Sequence, residues 1–201
     1  MNVLMATKPR GRVTEKSDKK GAILEAMLDL IVERGLHDAP MSVLAKRSGA
    51  SPGVIYHYFP SKDDLIHAVH QRVAAVKRDA ILSGYTETMQ PKEAFLLVWM
   101  NAYRFYRSHL REMRFLDQYL NSPYCKPASE GEMQAVDPAA ARLLKMGRPK
   151  RLGGVLKDLP AEAINSLSLG LAASLAKTEK NFSKAVLLRV AETVWGAIAA
   201  E

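Results

Sequence analysis

Apolar residues recur along this chain at intervals of three and four, the spacing of one buried helix face. Ile23, Met27, Leu30 and Ile31 follow i, i+4, i+7, i+8 and predict a helix over 19–34, with Gly35 as its C-cap. Met41 to Ser48 reads as a short second helix with Pro40 in its first turn, and Gly49-Ala50-Ser51 as a turn. Ser51 caps a third short helix that opens on Pro52 and stops before Pro60. Ser61 caps a fourth, from Lys62 to about Leu82. Further periodic stretches predict helices over 91–109, 111–120, 137–146, 160–180 and 183–200, about nine in all. Alternating β-branched runs are almost absent, so the fold class is all-α.

Breaks in the pattern divide the chain. Residues 1–17 have no apolar period and contain Pro9 and Gly11, which predicts a flexible arm. Residues 18–65 form a compact helical domain, and 66–201 a larger helical domain. Lys126 to Gln134 reads as a loop.

Composition narrows the class. Hydrophobic residues make up 48% of the 201 and charged ones 25%, enough to bury a core and too apolar for global disorder. The formal net charge of +8 favours polyanionic partners, nucleic acid or an anionic membrane surface. Within residues 1–20, Lys8, Arg10, Arg12, Lys16, Lys19 and Lys20 face only Glu15 and Asp18, a net of +4, so the arm suits a DNA groove. The single cysteine, Cys125, allows no disulfide within the chain and reads as a small hydrophobe near a core. The mildly apolar start precedes the basic cluster, the reverse of a secretory leader. The least polar stretch, 161–176, falls short of the ~20 residues of a membrane span. A cytoplasmic protein without a membrane partner is expected.

The stretch 45–65 carries the chemistry. A helix-turn-helix needs a small residue where its two helices cross, a turn residue that tolerates left-handed backbone, and apolar residues beneath the second helix. Ala45, Gly49, and Ile55 with Phe59 supply them. The outer face of such a second helix enters the major groove, its N-terminal residues nearest the bases.

Leu44-Ala45, Gly49-Ala50-Ser51 and the run Tyr56-His57-Tyr58-Phe59-Pro60-Ser61-Lys62-Asp63-Asp64-Leu65 closely resemble the DNA-binding domain of the tetracycline-repressor (TetR) family, in register over 19–69. The resemblance implies a phosphate contact from the Tyr56 hydroxyl and another from Lys62, at the start of helix four. It places His57 and Tyr58 near the backbone or groove wall. Ser51, Pro52, Gly53 and Val54 take the base-facing start of the recognition helix, and Ser42 and Lys46 lie where helix two reaches the duplex. This chain departs from the family pattern in having Ala39-Pro40 where a threonine cap is usual, with Asp38 placed to take over the capping. Ser42 and Val43 stand where charged residues are common. The base-facing set lacks Arg, Asn and Gln, the best bidentate readers. Readout is then expected from thymine-methyl contacts, DNA shape and the arm.

The family resemblance further implies a ligand-binding and dimerising C-terminal domain. Leu167, Gly170, Leu171 and Ser174, with Leu187, Val190, Ala191, Val194 and Ile198, give two apolar faces expected to meet a second copy. A dimer reads a palindromic operator with half-sites about 34–36 Å apart, and an effector that favours another spacing releases it. Phe95, Trp99, Met100, Tyr103, Tyr106, Phe115 and Tyr119 are candidate lining for a partly apolar small-molecule effector, though such stripes are also ordinary core. Arg104, Arg107, Arg111 and Arg114 can meet an anionic effector or form a solvated face. His67 and His70, one turn apart, have no third ligand nearby in sequence, so neither metal nor cofactor is expected. No phosphate-binding loop, dinucleotide fingerprint or nucleophile elbow occurs, which argues against an enzyme. Two alternatives stay open: an activator or ligand-independent regulator of the same fold, and a helical adaptor for anionic surfaces.

Overall fold

The structure, a computed structural model, describes residues 11–125 and 154–200. Helices account for the elements: α1 (Gly11–Arg34), α2 (Met41–Ser48), α3 (Pro52–Tyr58), α4 (Lys62–Leu82), α5 (Pro91–Ser108) and α6 (Leu110–Leu120). Ala161–Asn165, a π-helical turn over Ser166–Gly170 and Leu171–Lys177 then follow with helical backbone at both joins, and together form α7. The last is α8 (Lys184–Ile198). Among the described residues the only β-pairing is an isolated antiparallel bridge, Leu156 to Ala199. The helix expected over 137–146 and the loop over 126–134 lie outside the described residues.

Two compact units result. One holds the residues up to Val73 together with Arg114–Cys125, and the other holds Ala74–Met113 with the residues after Cys125. The division falls inside α4 and inside α6.

In the first unit, Ile23, Met27, Leu30 and Ile31 of α1 are all fully buried, as the periodicity requires. Leu24 and Leu28 are buried too, so the apolar arc of α1 is wider than one stripe. The helix begins at Gly11, not near Lys19. Extending a nucleated helix costs little per residue, and no proline interrupts 11–34. Gly35 ends α1 at φ 93, its N–H on the Ile31 carbonyl at 2.7 Å. Pro40 is the N-cap of α2, which has no side-chain cap bond, so Asp38 does not take that role. Cys125 is exposed, contrary to the core position expected of it. It sits in a turn after the Asn121-Ser122-Pro123 break, its N–H on the Ser122 carbonyl at 3.2 Å.

In the second unit α5 is central, with α7 and α8 packed against it. Trp99, Met100, Ala102, Tyr103, Phe105 and Tyr106 are buried, around most of the helix circumference, as a helix enclosed by others must be. Its buried polar groups have partners. The Asn101 amide donates to the carbonyls of Ile81 (3.1 Å) and Ser83 (2.8 Å), closing the end of α4. The Trp99 indole N–H donates to the Ser168 carbonyl at 3.1 Å, inside the π-helical turn. Arg107 donates to the carbonyls of Ala176 (3.1 Å) and Thr178 and to Asn181 Oδ1 (2.8 Å), so it caps α7 and is not a free effector ligand. Ser183 caps α8 as expected, accepting from the Val186 N–H at 3.3 Å. Lys157 binds the far end of α8 through the carbonyls of Gly196 (3.3 Å) and Ala197 (3.0 Å).

Candidate nucleic-acid interface

The turn between α2 and α3 is built by local chemistry. Gly49 is left-handed, at φ 64. The Ser48 hydroxyl donates back to the Leu44 carbonyl at 2.8 Å and accepts from the Ala50 N–H at 3.4 Å. Ser51 Oγ accepts from the Val54 N–H at 3.4 Å, and Pro52 takes the first helical position, so α3 starts where the sequence placed it. A Cβ added to Gly49 would meet nothing within 4 Å, so a side chain there strains only the backbone. Gly49→Ala should therefore cost about 1–2 kcal/mol. That lowers the thermal midpoint by about 2–8 °C. A melting curve superimposable on the parent's would refute this account of the turn.

Burial holds α3 in place from one side. Leu44 and Ile55 are fully buried, Ala50 and Phe59 nearly so. Lys20 of α1 places its ammonium 5.7 Å from the Phe59 ring centroid. The opposite face is open: Ser51, Pro52, Gly53, Tyr56 and His57 are exposed, and Val54 and Tyr58 are half-buried. Tyr56 is 48% exposed, unusual for a tyrosine with no structural load, and free to reach a partner. The His57 ring meets Tyr58 edge-on, with centroids 5.5 Å apart. Pro52–Tyr58 holds no Asp, Glu, Lys or Arg side chain.

Flanking groups frame this face. Ser42 and Lys46 of α2 are exposed. Arg47 is bound to Glu33 of α1 at 2.6 Å. The Arg47 hydrogen bond holds the Glu33 carboxyl below its usual range, so this arginine comes already paired with an anion. Ser61 caps the start of α4: its Oγ accepts from the Asp64 N–H at 3.0 Å and donates to Asp64 Oδ2 at 2.7 Å. Beside it, Lys62 donates to the His37 carbonyl at 3.2 Å. This tie between α4 and the α1–α2 loop was invisible in the sequence, because it spans 25 positions. All ten candidate DNA-contacting residues thus lie on α2, on α3 and its N-cap Ser51, and at Lys62, the first residue of α4, within one unit.

The model of bacterial regulatory proteins of the tetR family matches residues 23–69, and the model of the tetracyclin repressor-like C-terminal domain matches 91–199, more than half of the chain. This chain belongs to the tetracycline-repressor family. It is a DNA-binding transcriptional regulator with an N-terminal helix-turn-helix and a C-terminal helical domain. Among similar proteins, the HTH-type transcriptional regulator BetI of Klebsiella pneumoniae (strain 342) is 38% identical over 65 residues, 32% of this chain and 33% of that regulator. The BetI of Escherichia coli (strain K12 / DH10B) is 37% identical over 68 residues, 34% and 35% of the two chains. The match thus spans about a third of the length of these relatives. Among solved structures, a TetR family regulator from Marinobacter aquaeolei VT8 superposes with a TM-score of 0.81 at 19% identity, over 94% of this chain and 99% of that one. HI0893, a TetR-family regulator from Haemophilus influenzae RD, gives 0.73 at 26% identity over 92% and 99%. A putative regulator from Saccharomonospora viridis, solved in complex with choline, gives 0.60 at 19% identity over 92% and 100%.

The structure redistributes the family-type sites expected elsewhere. Of the proposed dimer residues, Leu187, Ala191, Val194 and Ile198 are buried inside the second unit, packed with α5 residues or with Leu156. Within the unit these four residues pack as core. Leu167 is 45% exposed, Ser174 is exposed, and Gly170, Leu171 and Val190 are half-buried. Of the seven candidate effector residues, Phe95, Trp99, Met100, Tyr103 and Tyr106 belong to the second unit, and Phe115 and Tyr119 to the first. There Tyr119 receives His67 Nδ1 at 2.9 Å from its hydroxyl, and the His70 ring stacks on it at 4.1 Å. Both histidines are engaged by an aromatic residue, and no group of three metal-binding side chains occurs among the described residues. No helix among the described residues is long and apolar enough to cross a membrane.

Proposed function

We propose that this regulator is a homodimeric repressor that binds a palindromic operator and is released by a small-molecule effector. The observation that carries the DNA side is the exposed, uncharged face of α3, fixed from behind by Ile55 and Phe59. Ser51, Pro52, Gly53 and Val54 read bases by methyl and backbone contact, and Tyr56, His57, Tyr58, Lys62, Ser42 and Lys46 position the duplex through its phosphates. The dimer forms through Leu167, Gly170, Leu171, Ser174 and Val190, the members of the expected faces that retain accessible surface. The effector lies within the helical unit along Phe95, Trp99, Met100, Tyr103 and Tyr106. A fold neighbour that holds choline supports the capacity of this architecture to take a small molecule. Because α4 begins at the Lys62 anchor and continues to Leu82 in the second unit, it is the element through which the effector biases the spacing of the two recognition helices.

The test is selection of random duplex DNA by the purified protein at about 150 mM salt, where nonspecific charge attraction is weakened. A palindrome with two half-sites is expected. Recovery of no motif would return the chain to the adaptor reading. Lys62→Ala should weaken binding on all sequences alike and lower the salt slope by about one. An unaltered slope would leave Lys62 only its tie to the His37 carbonyl.

A further inference from the structure

The first turn of α3 offers very little hydrogen-bonding chemistry. At about 100° per residue, Gly53 stands on the side of the helix away from Ile55, which is fully buried, and Pro52 and Val54 flank it. Pro52 and Gly53 are exposed and Val54 is half-buried. A Cβ built on Gly53 meets nothing within 4 Å, so the bare backbone leaves α3 room to approach a base edge by the depth of a side chain. That approach brings the Pro52 ring and the Val54 methyls against the bases, and neither side chain carries a donor or an acceptor. Ser51 is the one polar side chain of Ser51–Val54. Its Oγ accepts from the Val54 N–H at 3.4 Å, and its rotatable hydroxyl suits a donor or an acceptor on a base equally. Of the backbone donors, Pro52 has none, and that of Gly53 points along the helix axis, the direction in which helix N-termini meet phosphate. Cations on the neighbouring elements are engaged elsewhere: Arg47 pairs with Glu33 at 2.6 Å, Lys62 donates to the His37 carbonyl at 3.2 Å, and the Lys20 ammonium lies over the Phe59 ring. Lys46 is exposed on α2, outside this turn. The major-groove feature that matches such a surface is the apolar one, the 5-methyl group of thymine.

We propose that α3 reads each half-site through the 5-methyl group of a pyrimidine, met by Pro52 and Val54, and accepts 5-methylcytosine in place of thymine. Thymine presents an acceptor at C4 and cytosine a donor. Telling them apart takes a side chain of fixed hydrogen-bonding polarity, and this turn has none. Burying one methyl group is worth about threefold to fivefold in affinity, so the two half-sites of a palindrome together give about 10- to 25-fold. A site with cytosine at that position therefore gains affinity when the cytosine is methylated at C5. This inference rests on the reading of α3 as the helix that enters the groove and assigns the chemical feature that it recognises.

The test uses the full chain and the operator recovered by selection, with every change made in both half-sites. At each thymine in turn the duplex carries thymine, deoxyuridine, cytosine or 5-methylcytosine, the last two opposite guanine, and affinity is read by electrophoretic shift at about 150 mM salt. At one thymine position at least, deoxyuridine should lose about 10- to 25-fold, cytosine should match deoxyuridine to within about threefold, and 5-methylcytosine should return to within about threefold of thymine. Pro52→Ala combined with Val54→Ala should bring thymine and deoxyuridine to within about threefold of each other. The salt slope of that variant should equal the parent's, since no charge is altered. The base-analogue series needs no variant protein, so it decides the matter even if the double variant melts early. Full affinity on deoxyuridine at every position, 5-methylcytosine no better than cytosine, or a methyl preference that survives the double variant overturns the proposal. A recovered operator that is indifferent to the methyl group refutes this inference alone. Recovery of no motif refutes it together with the reading of α3 as the sequence reader.

Discussion

Gly53→Glu should weaken specific DNA binding by roughly 100- to 1000-fold and leave the melting temperature no lower than the parent's. Gly53 sits in the first turn of α3, exposed, with helical backbone, and a Cβ built on it meets nothing within 4 Å. Glutamate is a better helix former than glycine, and a carboxylate in the first turn complements the helix dipole. Nothing in the free protein therefore opposes the change. Against DNA the same side chain fills the space where backbone and groove would approach, and it sets a negative charge among phosphates. One like-charge contact at about 4 Å in a partly desolvated interface is worth about 4 kcal/mol, hence a loss of roughly 100- to 1000-fold in affinity. Gly53→Ala serves as the neutral control and should fall by far less. An electrophoretic shift at fixed salt, with a melt of each variant, decides it. If Gly53→Glu held its operator affinity, α3 would not be the element that enters the groove.

Trp99→Ala should lower stability by about 3–5 kcal/mol, the range for emptying a large buried aromatic site. Trp99 is fully buried, its ring is stacked with Tyr103 at 6.4 Å, and its indole donates to the Ser168 carbonyl. That carbonyl lies in the π-helical turn and also accepts from the Leu171 N–H, so the tryptophan gives it a second donor. Trp99→Phe separates the two contributions. It retains most of the packing and loses the donor, for a cost of about 1–3 kcal/mol. Trp195 remains as a fluorescent reporter in both variants. Denaturant unfolding within about 1 kcal/mol of the parent for Trp99→Ala would show that the site collapses around the loss and that the turn is held by other groups.

The pattern of the chain identifies buried faces and charged stretches, and the folded form shows what each one meets within its unit. Leu187, Ala191, Val194 and Ile198 recur at helical spacing, which identifies a buried face and says nothing of what buries it. The unit covers that face itself, with α5 and Leu156, and leaves Leu167 exposed instead. Arg107 reads in sequence as one of four arginines on a charged stretch, yet it closes the end of a helix some seventy residues later. The aromatic stripe of α5 was legible, but its division from Phe115 and Tyr119 into separate units was not.

Where local chemistry decides, the sequence was sufficient. Ser51, Ser61 and Ser183 each accept an N–H three residues on, and Gly35 and Gly49 take the left-handed backbone that ends a helix. These interactions close within one turn of chain, so the residues that make them are adjacent in the text. The motif at 45–65 is of this kind, which is why the DNA-binding unit and the family could be read before any coordinate. Tertiary structure alone decided which apolar faces are covered within a unit, that Lys62 ties to His37, and that Arg107 closes the end of α7. Those facts depend on contacts between positions far apart in the chain, whose pairing is chosen by the packing of the whole domain and not by any local preference.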